Sequence, residues 1–375
     1  MKRLLMLFII VILFTKVAGA SDVGKVGSSI SNELDGFKDS LPDDIVDFFP
    51  NEIWQGDFSK LSTEQISEAS LFDLIIDYLF LGLNSTIKSF FSILIVLLIA
   101  SIFNMLSDSL SSDLIKSSFS LTSALCTCFT ILNVCKSLTE LVSEYITALC
   151  KVMEAFVPIM TTMYIMSGSI SSSAVSSTSM LLFIALIEEF LVAFMLPIIE
   201  ICICFAVIKA FGGQLDFSGI SKSLKNAFTG VTVFIMSIFL FVLSTKNVLS
   251  QSADSISIKT AKFAISNFIP IVGSSVNDAL RTVTSSIAYI KNSCGVLGLV
   301  VLLLLILPII IALLLNKLSF SIASGISKAL GCSNETLVID EGGSICGFLI
   351  AIVCCTCILF VFALTIFIKS SVVIA

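Results

Sequence analysis

The chain has 375 residues, of which 57% are hydrophobic and 13% charged, with a net charge of −6 and a mean hydropathy of +1.08. A soluble domain carries about 25% charged residues, so this composition excludes a soluble fold and points to an all-α, polytopic helical membrane protein. There is no histidine, which removes the commonest general base and metal ligand, and no cluster of Lys and Arg of the kind nucleic acid requires.

Lys2-Arg3 precedes an apolar run over 4–14, and Ala18-Gly19-Ala20 comes after it. This is the layout of a secretory signal peptide over 1–20, cleaved after Ala20, so that the chain from Ser21 onward is exported. Residues 21–85 form a short acidic exported region with 13 acids against three lysines, whereas 86–375 holds 15 basic and 14 acidic residues. Ser62-Thr63-Glu64-Gln65 is a capping box opening an amphipathic helix through Ile66, Ala69, Leu71, Leu74 and Ile75. A region of this size with one Trp builds little core alone, and it is expected to pack on the membrane domain or on a partner.

From 86 to 375 the chain reads as a helical membrane domain. Transmembrane helices are expected at about 87–105, 119–138, 179–211, 231–248, 296–315 and 345–368, because about 20 apolar residues cross a bilayer core of about 30 Å. The runs are continuous, not alternating, which excludes a porin-like barrel. The third is too long for one straight span. It tilts, kinks at Pro197 or divides in two, and one kinked helix is favoured by analogy with Pro308. Amphipathic stretches at 139–155 and 252–267 suit helices at the membrane interface. Six spans after an exported start place the C-terminus outside. The loop 212–230, with Lys222 and Lys225, is then cytoplasmic and suits the positive-inside tendency, while Lys259, Lys262, Arg281 and Lys291 do not.

Two marks recur. Phe156-Val157-Pro158-Ile159 and Leu196-Pro197-Ile198-Ile199 return as Phe268-Ile269-Pro270-Ile271 and Leu307-Pro308-Ile309-Ile310, at intervals of 39 and 38 residues. Ser218-Gly219-Ile220-Ser221-Lys222 also recurs as Ser324-Gly325-Ile326-Ser327-Lys328. The pattern predicts a tandem internal repeat, with copies at about 118–211 and 230–315 and a partial copy at 316–375. Ser167 begins a Ser-rich connection that reads as flexible or re-entrant.

Pro158, Pro197, Pro270 and Pro308 are the candidate helix kinks. Glu188, Glu189 and Glu200 lie inside the third apolar run. An acid at a helix centre costs about 2.5–3.5 kcal/mol on insertion scales, so these are the candidate pore or interface acids. The alternative is that they cap shorter helices or meet Ser and Thr of a neighbouring span. The twelve cysteines read as small apolar residues. Cys354-Cys355-Thr356-Cys357 lacks polar support for a metal, and the exported region has no thiol for a disulfide framework. Gly212-Gly213 and Gly342-Gly343 read as linkers, not phosphate loops. No catalytic residue, cofactor or metal is expected, and transport driven by ATP would need a separate ATPase.

The acidic lead contains Asn51-Glu52-Ile53-Trp54-Gln55-Gly56-Asp57-Phe58. With Ala155-Phe156-Val157-Pro158-Ile159, Ser167-Gly168-Ser169 and Phe194-Met195-Leu196-Pro197-Ile198-Ile199, this layout resembles the stage III sporulation protein AE family over nearly the whole chain. The resemblance implies a multipass component of the mother-cell membrane around the forespore of an endospore-forming bacterium. It implies a complex likened to secretion systems, with a secretion-type ATPase, ring-forming single-pass membrane proteins and a forespore membrane partner. It supplies no catalytic residue. The expected function is therefore a non-enzymatic part of this channel, supporting forespore development. The rivals are a stand-alone secondary transporter and a scaffold that recruits ring-forming partners without conducting. Expected partners are membrane lipid and proteins of the complex, with a homo-oligomer left open.

Overall fold

The computed structural model describes residues 28–55, 68–108, 113–167, 170–210, 218–268 and 273–369. The signal peptide, the capping box, Pro270 and Gly212-Gly213 lie outside the described residues. Nine helices are described: α1 (Ser28–Asp39), α2 (Asp43–Phe48), α3 (Asn51–Trp54), α4 (Glu68–Asp108), α5 (Asp113–Met166), α6 (Ile170–Ala210), α7 (Ser218–Phe268), α8 (Gly273–Ala329) and α9 (Ser333–Lys369).

Pro42 and Pro50 precede α2 and α3, whose first turns carry Asp43, Asp44 and Glu52 at the positive end of the helix dipole. The three short helices bury Leu34, Phe37, Ile45, Phe49, Ile53 and Trp54 in the same core as the long helices. Phe37 meets Phe156 of α5 edge-on at 5.3 Å, and Thr162 Oγ1 donates to Glu33 Oε1 at 3.2 Å. The N-terminal region thus packs on the membrane domain, as its size demanded.

Six described helices are long and apolar enough to cross a membrane: Ile76–Leu106, Leu121–Met166, Ser177–Ala210, Gly219–Lys246, Ala288–Ala329 and Ser333–Ile368. The third is a single helix with Pro197 inside it. The amphipathic stretches 139–155 and 252–267 are not separate elements. Each runs on as the second half of α5 or α7. The reason in α5 is packing: Leu138, Val142, Ile146, Leu149, Met153 and Phe156 are all buried, while Lys136, Glu140, Glu144, Lys151 and Glu154 are exposed. A strip of this spacing needs a protein core beneath it, and α9 and α6 supply one. At 54 residues α5 is about 81 Å long, far more than a bilayer core of about 30 Å.

Cross-helix contacts fix the register. Asn316 Nδ2 of α8 donates to Thr86 Oγ1 of α4 at 3.1 Å, and Asn104 Nδ2 of α4 reaches Cys332 Sγ at 3.5 Å. The apolar run 87–105 of α4 therefore stands beside the polar end of α8, just below that helix's own apolar run 296–315. In the same way Ser123 of α5 bonds Glu335 of α9, and Phe156 packs on Phe367 at 6.1 Å. The apolar run of α5 lies beside the polar start of α9, and its charged half lies beside α9's apolar run. Phe228 of α7 meets Phe348 of α9 at 5.8 Å, so those two apolar runs are level. The bundle thus has two apolar storeys, one set by α4 and α5 and one by α7, α8 and α9. Helix α6 runs past both, stacking Phe183 on Phe239 at 3.6 Å and Phe190 on Phe228 at 5.2 Å.

Helices α8 and α9 form an antiparallel hairpin. Its turn is a Schellman closure: Gly331 N donates to Lys328 O at 3.2 Å and Cys332 N to Ser327 O at 3.0 Å. Gly331 has φ +76, a left-handed conformation that any Cβ strains. Gly342-Gly343 is not a linker but part of α9. A Cβ on Gly342 would stand 2.8 Å from Phe320 Cε1 of α8, so the glycine sits at a close approach of the two helices.

Candidate functional site

The first turns of α9 organise a polar layer beside the apolar runs of α4 and α5. Glu335, Asp340 and Glu341 each take a partner from a different earlier helix. Ser123 of α5 donates to Glu335, which is 1% exposed. Ser324 Oγ of α8 donates to Asp340 Oδ1 at 2.5 Å, and Lys328 Nζ lies 3.6 Å from Asp340 Oδ2 at the surface. From α7, Lys225 Nζ donates to Glu341 Oε1 and to Ser344 Oγ, both at 2.6 Å, and Ser221 Oγ donates to Glu341 Oε1 at 2.5 Å.

The Lys225–Glu341 pair is buried, with side-chain exposures of 7% and 14%. Removing two charges from water costs several kcal/mol each, which close contact and further hydrogen bonds offset. Ser221 and Ser344 supply those bonds. Helix geometry brings the groups together: Lys222, Lys225, Asn226 and Thr229 follow the i, i+3, i+4, i+7 rule on α7, and Glu341, Ser344, Phe348 and Ala351 share one face of α9. Between these faces lies a cleft of about 550 Å³. A second cavity of about 160 Å³ lies on the other side of Ser221 and Glu341, against Phe205, Ala206 and Lys209 of α6. At the hairpin turn, burial and the nearby Glu335 carboxylate push the Cys332 thiol up from its ordinary range, against the opposing effect of the Asn104 contact.

The acids singled out in the sequence lie elsewhere. Glu188 is half-buried, and Glu189 and Glu200 are exposed. Glu189 and Glu200 are eleven residues apart, hence on one face of α6 and about 16 Å apart along it. The structure does not bring them to the α7–α9 cleft. Pro158 and Pro197 are exposed within α5 and α6, and Pro308 is half-buried within α8. Among the described residues no three of Cys, Asp and Glu converge as a metal site, and all twelve cysteines are free thiols.

Sequence reasoning passed over Lys225 and Glu341 as a pair. The signal that pointed nearest to them was the repeated Ser-Gly-Ile-Ser-Lys. One copy supplies Ser221 to Glu341, and the other supplies Ser324 and Lys328 to Asp340. The two copies meet at adjacent residues of α9, although one opens a helix and the other closes one.

The model of the stage III sporulation protein AE family matches residues 55–371. The chain belongs to the stage III sporulation protein AE family. A curated member, stage III sporulation protein AE of Bacillus subtilis (strain 168), is 24% identical over 228 residues, covering 61% of this chain and 57% of that protein. No solved structure matches. Family membership and the six apolar helices together make this a multipass membrane protein of sporulation. The polar layer, from Ser123 to Ser344, falls within the matched residues.

Proposed function

We propose that the chain is a non-enzymatic membrane component of a channel or secretion-like complex between mother cell and forespore. It sits in the mother-cell membrane around the forespore and supports forespore development. The observation that carries this reading is the charged stripe of α5. Lys136, Glu140, Glu144, Lys151 and Glu154 stand exposed on one face over about 27 Å, beside the apolar run of α9. Lipid solvates such a stripe poorly, so it calls for water or a second protein chain. Helix α9 gives Glu335 and Phe367 to α5 but Glu341 and Phe348 to α7. On that other flank α7 exposes Val231, Phe234, Ile238 and Phe241. One charged wall and one apolar wall suit a subunit of a water-filled conduit assembled from several chains.

The partners in this reading are membrane lipid, further copies, ring-forming membrane proteins and a secretion-type ATPase. The ATPase supplies the energy, because the chain carries no phosphate loop. The test is to replace Glu140, Glu144 and Lys151 together by leucine and to score spore yield, membrane abundance and co-purification of the complex. Conduction along the stripe predicts that spore yield collapses while abundance and assembly persist. Normal spore yield excludes the stripe as a conduit wall. Loss of assembly along with yield favours the scaffold.

A further inference from the structure

We propose that the cleft between α7 and α9 binds the phosphate of an anionic phospholipid headgroup. Lys225 at the back of the cleft is neutralised by Glu341 at 2.6 Å. One further cation lines the cleft and another stands beside it. Lys222 is exposed on the α7 rim. Lys317 of α8 reaches across to Gly347 in the cleft lining, its Nζ 3.3 Å from where a Cβ would stand. Neither Lys222 nor Lys317 has an ion-pair partner among the described residues. The cleft therefore has one uncompensated positive charge in its lining, Lys222, and a second, Lys317, beside Gly347. Ser344 accepts from Lys225, which leaves its hydroxyl proton to donate, and Asn226 adds an amide. These are the donors a phosphate diester takes, and a basic pocket between transmembrane helices is a known kind of headgroup site.

Depth and shape favour a lipid over a free anion. The cleft lies at the edge of the storey formed by α7, α8 and α9, against the start of the apolar runs 231–248 of α7 and 345–368 of α9. Headgroup depth coincides with the cleft when the bilayer core takes that storey. The volume of about 550 Å³ exceeds the needs of a lone phosphate. The helix faces that form the cleft continue as Val233 and Leu240 on α7 and as Ile358 and Phe362 on α9, with Phe362 53% exposed. From Thr229 to Leu240 that face runs about 16 Å, the scale of an acyl chain. A zwitterionic headgroup would bring its own cation against Lys222 and Lys317, so the site selects anionic lipid. This inference rests on the cleft alone and not on the channel reading.

The test uses the full chain in nanodiscs of phosphatidylcholine, alone or with phosphatidylglycerol, and compares it with Lys222→Ala combined with Lys317→Ala. Both lysines are exposed and outside the buried pair, so the fold persists. Wild type should melt at a higher temperature when phosphatidylglycerol is present and should retain that lipid through detergent extraction, as read by mass spectrometry. The double variant should match wild type in phosphatidylcholine and lose both effects. Ser344→Leu, which fills the cleft, should also lose retention. Equal retention by wild type and the double variant overturns the proposal. So does inorganic phosphate raising the melting temperature as far as the lipid does, which would assign the cleft to a free anion.

Discussion

Two ion pairs meet at neighbouring residues of α9 and differ in what they are worth. Lys225–Glu341 is buried, whereas Lys328–Asp340 has side-chain exposures of 63% and 51%. Lys225→Met strands a buried carboxylate and should cost about 3–5 kcal/mol. Pairing it with Glu341→Leu should recover most of that loss, since neither charge then needs a partner. Lys328→Ala should cost under about 1 kcal/mol, as exposed pairs do. Unfolding in detergent, followed by helicity, measures all three. Equal losses for Lys225→Met and the double variant would mean that the pair is not the burden on the fold. Lys225 read as a loop lysine because the helix around it is polar and its partner lies 116 positions away. Spacing along a chain carries no such pairing.

The helices themselves were largely legible, because apolar runs of the right length have few other homes. Their ends were not. Hydropathy falls halfway along α5 and α7, which reads as the edge of a membrane. The chain in fact stays helical there, and in α5 a narrower apolar stripe continues onto the core. Gly342-Gly343 misled for a related reason. A glycine pair breaks an isolated helix, but between packed helices it permits close approach. Gly342→Ala should therefore cost about 1–3 kcal/mol by overpacking against Phe320. Adding Phe320→Leu should return part of it. A double-mutant cycle on melting temperature measures the coupling, and strict additivity would show that the two side chains do not compete for that space.

Across the whole molecule, the six long helices alternate in direction. The helix ends at Asp108, Asp113, Ala210, Ser218, Ala329 and Ser333 share one end, and those at Met166, Ile170, Phe268 and Gly273 share the other. The N-terminal helices pack near the second end, through Glu33 and Thr162. Cysteines placed at the exposed Asn51 and Ser333 in a background without native thiols should label from opposite sides of the membrane with an impermeant reagent. Labelling of both from one side would break this arrangement. The offset between storeys could not be read from the sequence, because each apolar run is complete in itself. The offset exists only in contacts such as Thr86–Asn316 and Ser123–Glu335.

Synthesis runs from the N-terminus, so α9 reaches the membrane after the helices that depend on it. Ser123, Lys225 and Ser324 are made earlier and wait for Glu335, Glu341 and Asp340. Until α9 arrives, α7 holds a lysine with no carboxylate beside it and α8 an unfinished hairpin. The bundle is thus locked from its far end, and a chain that stalls before α9 displays an unpaired cation on α7, the kind of defect that membrane quality control can recognise.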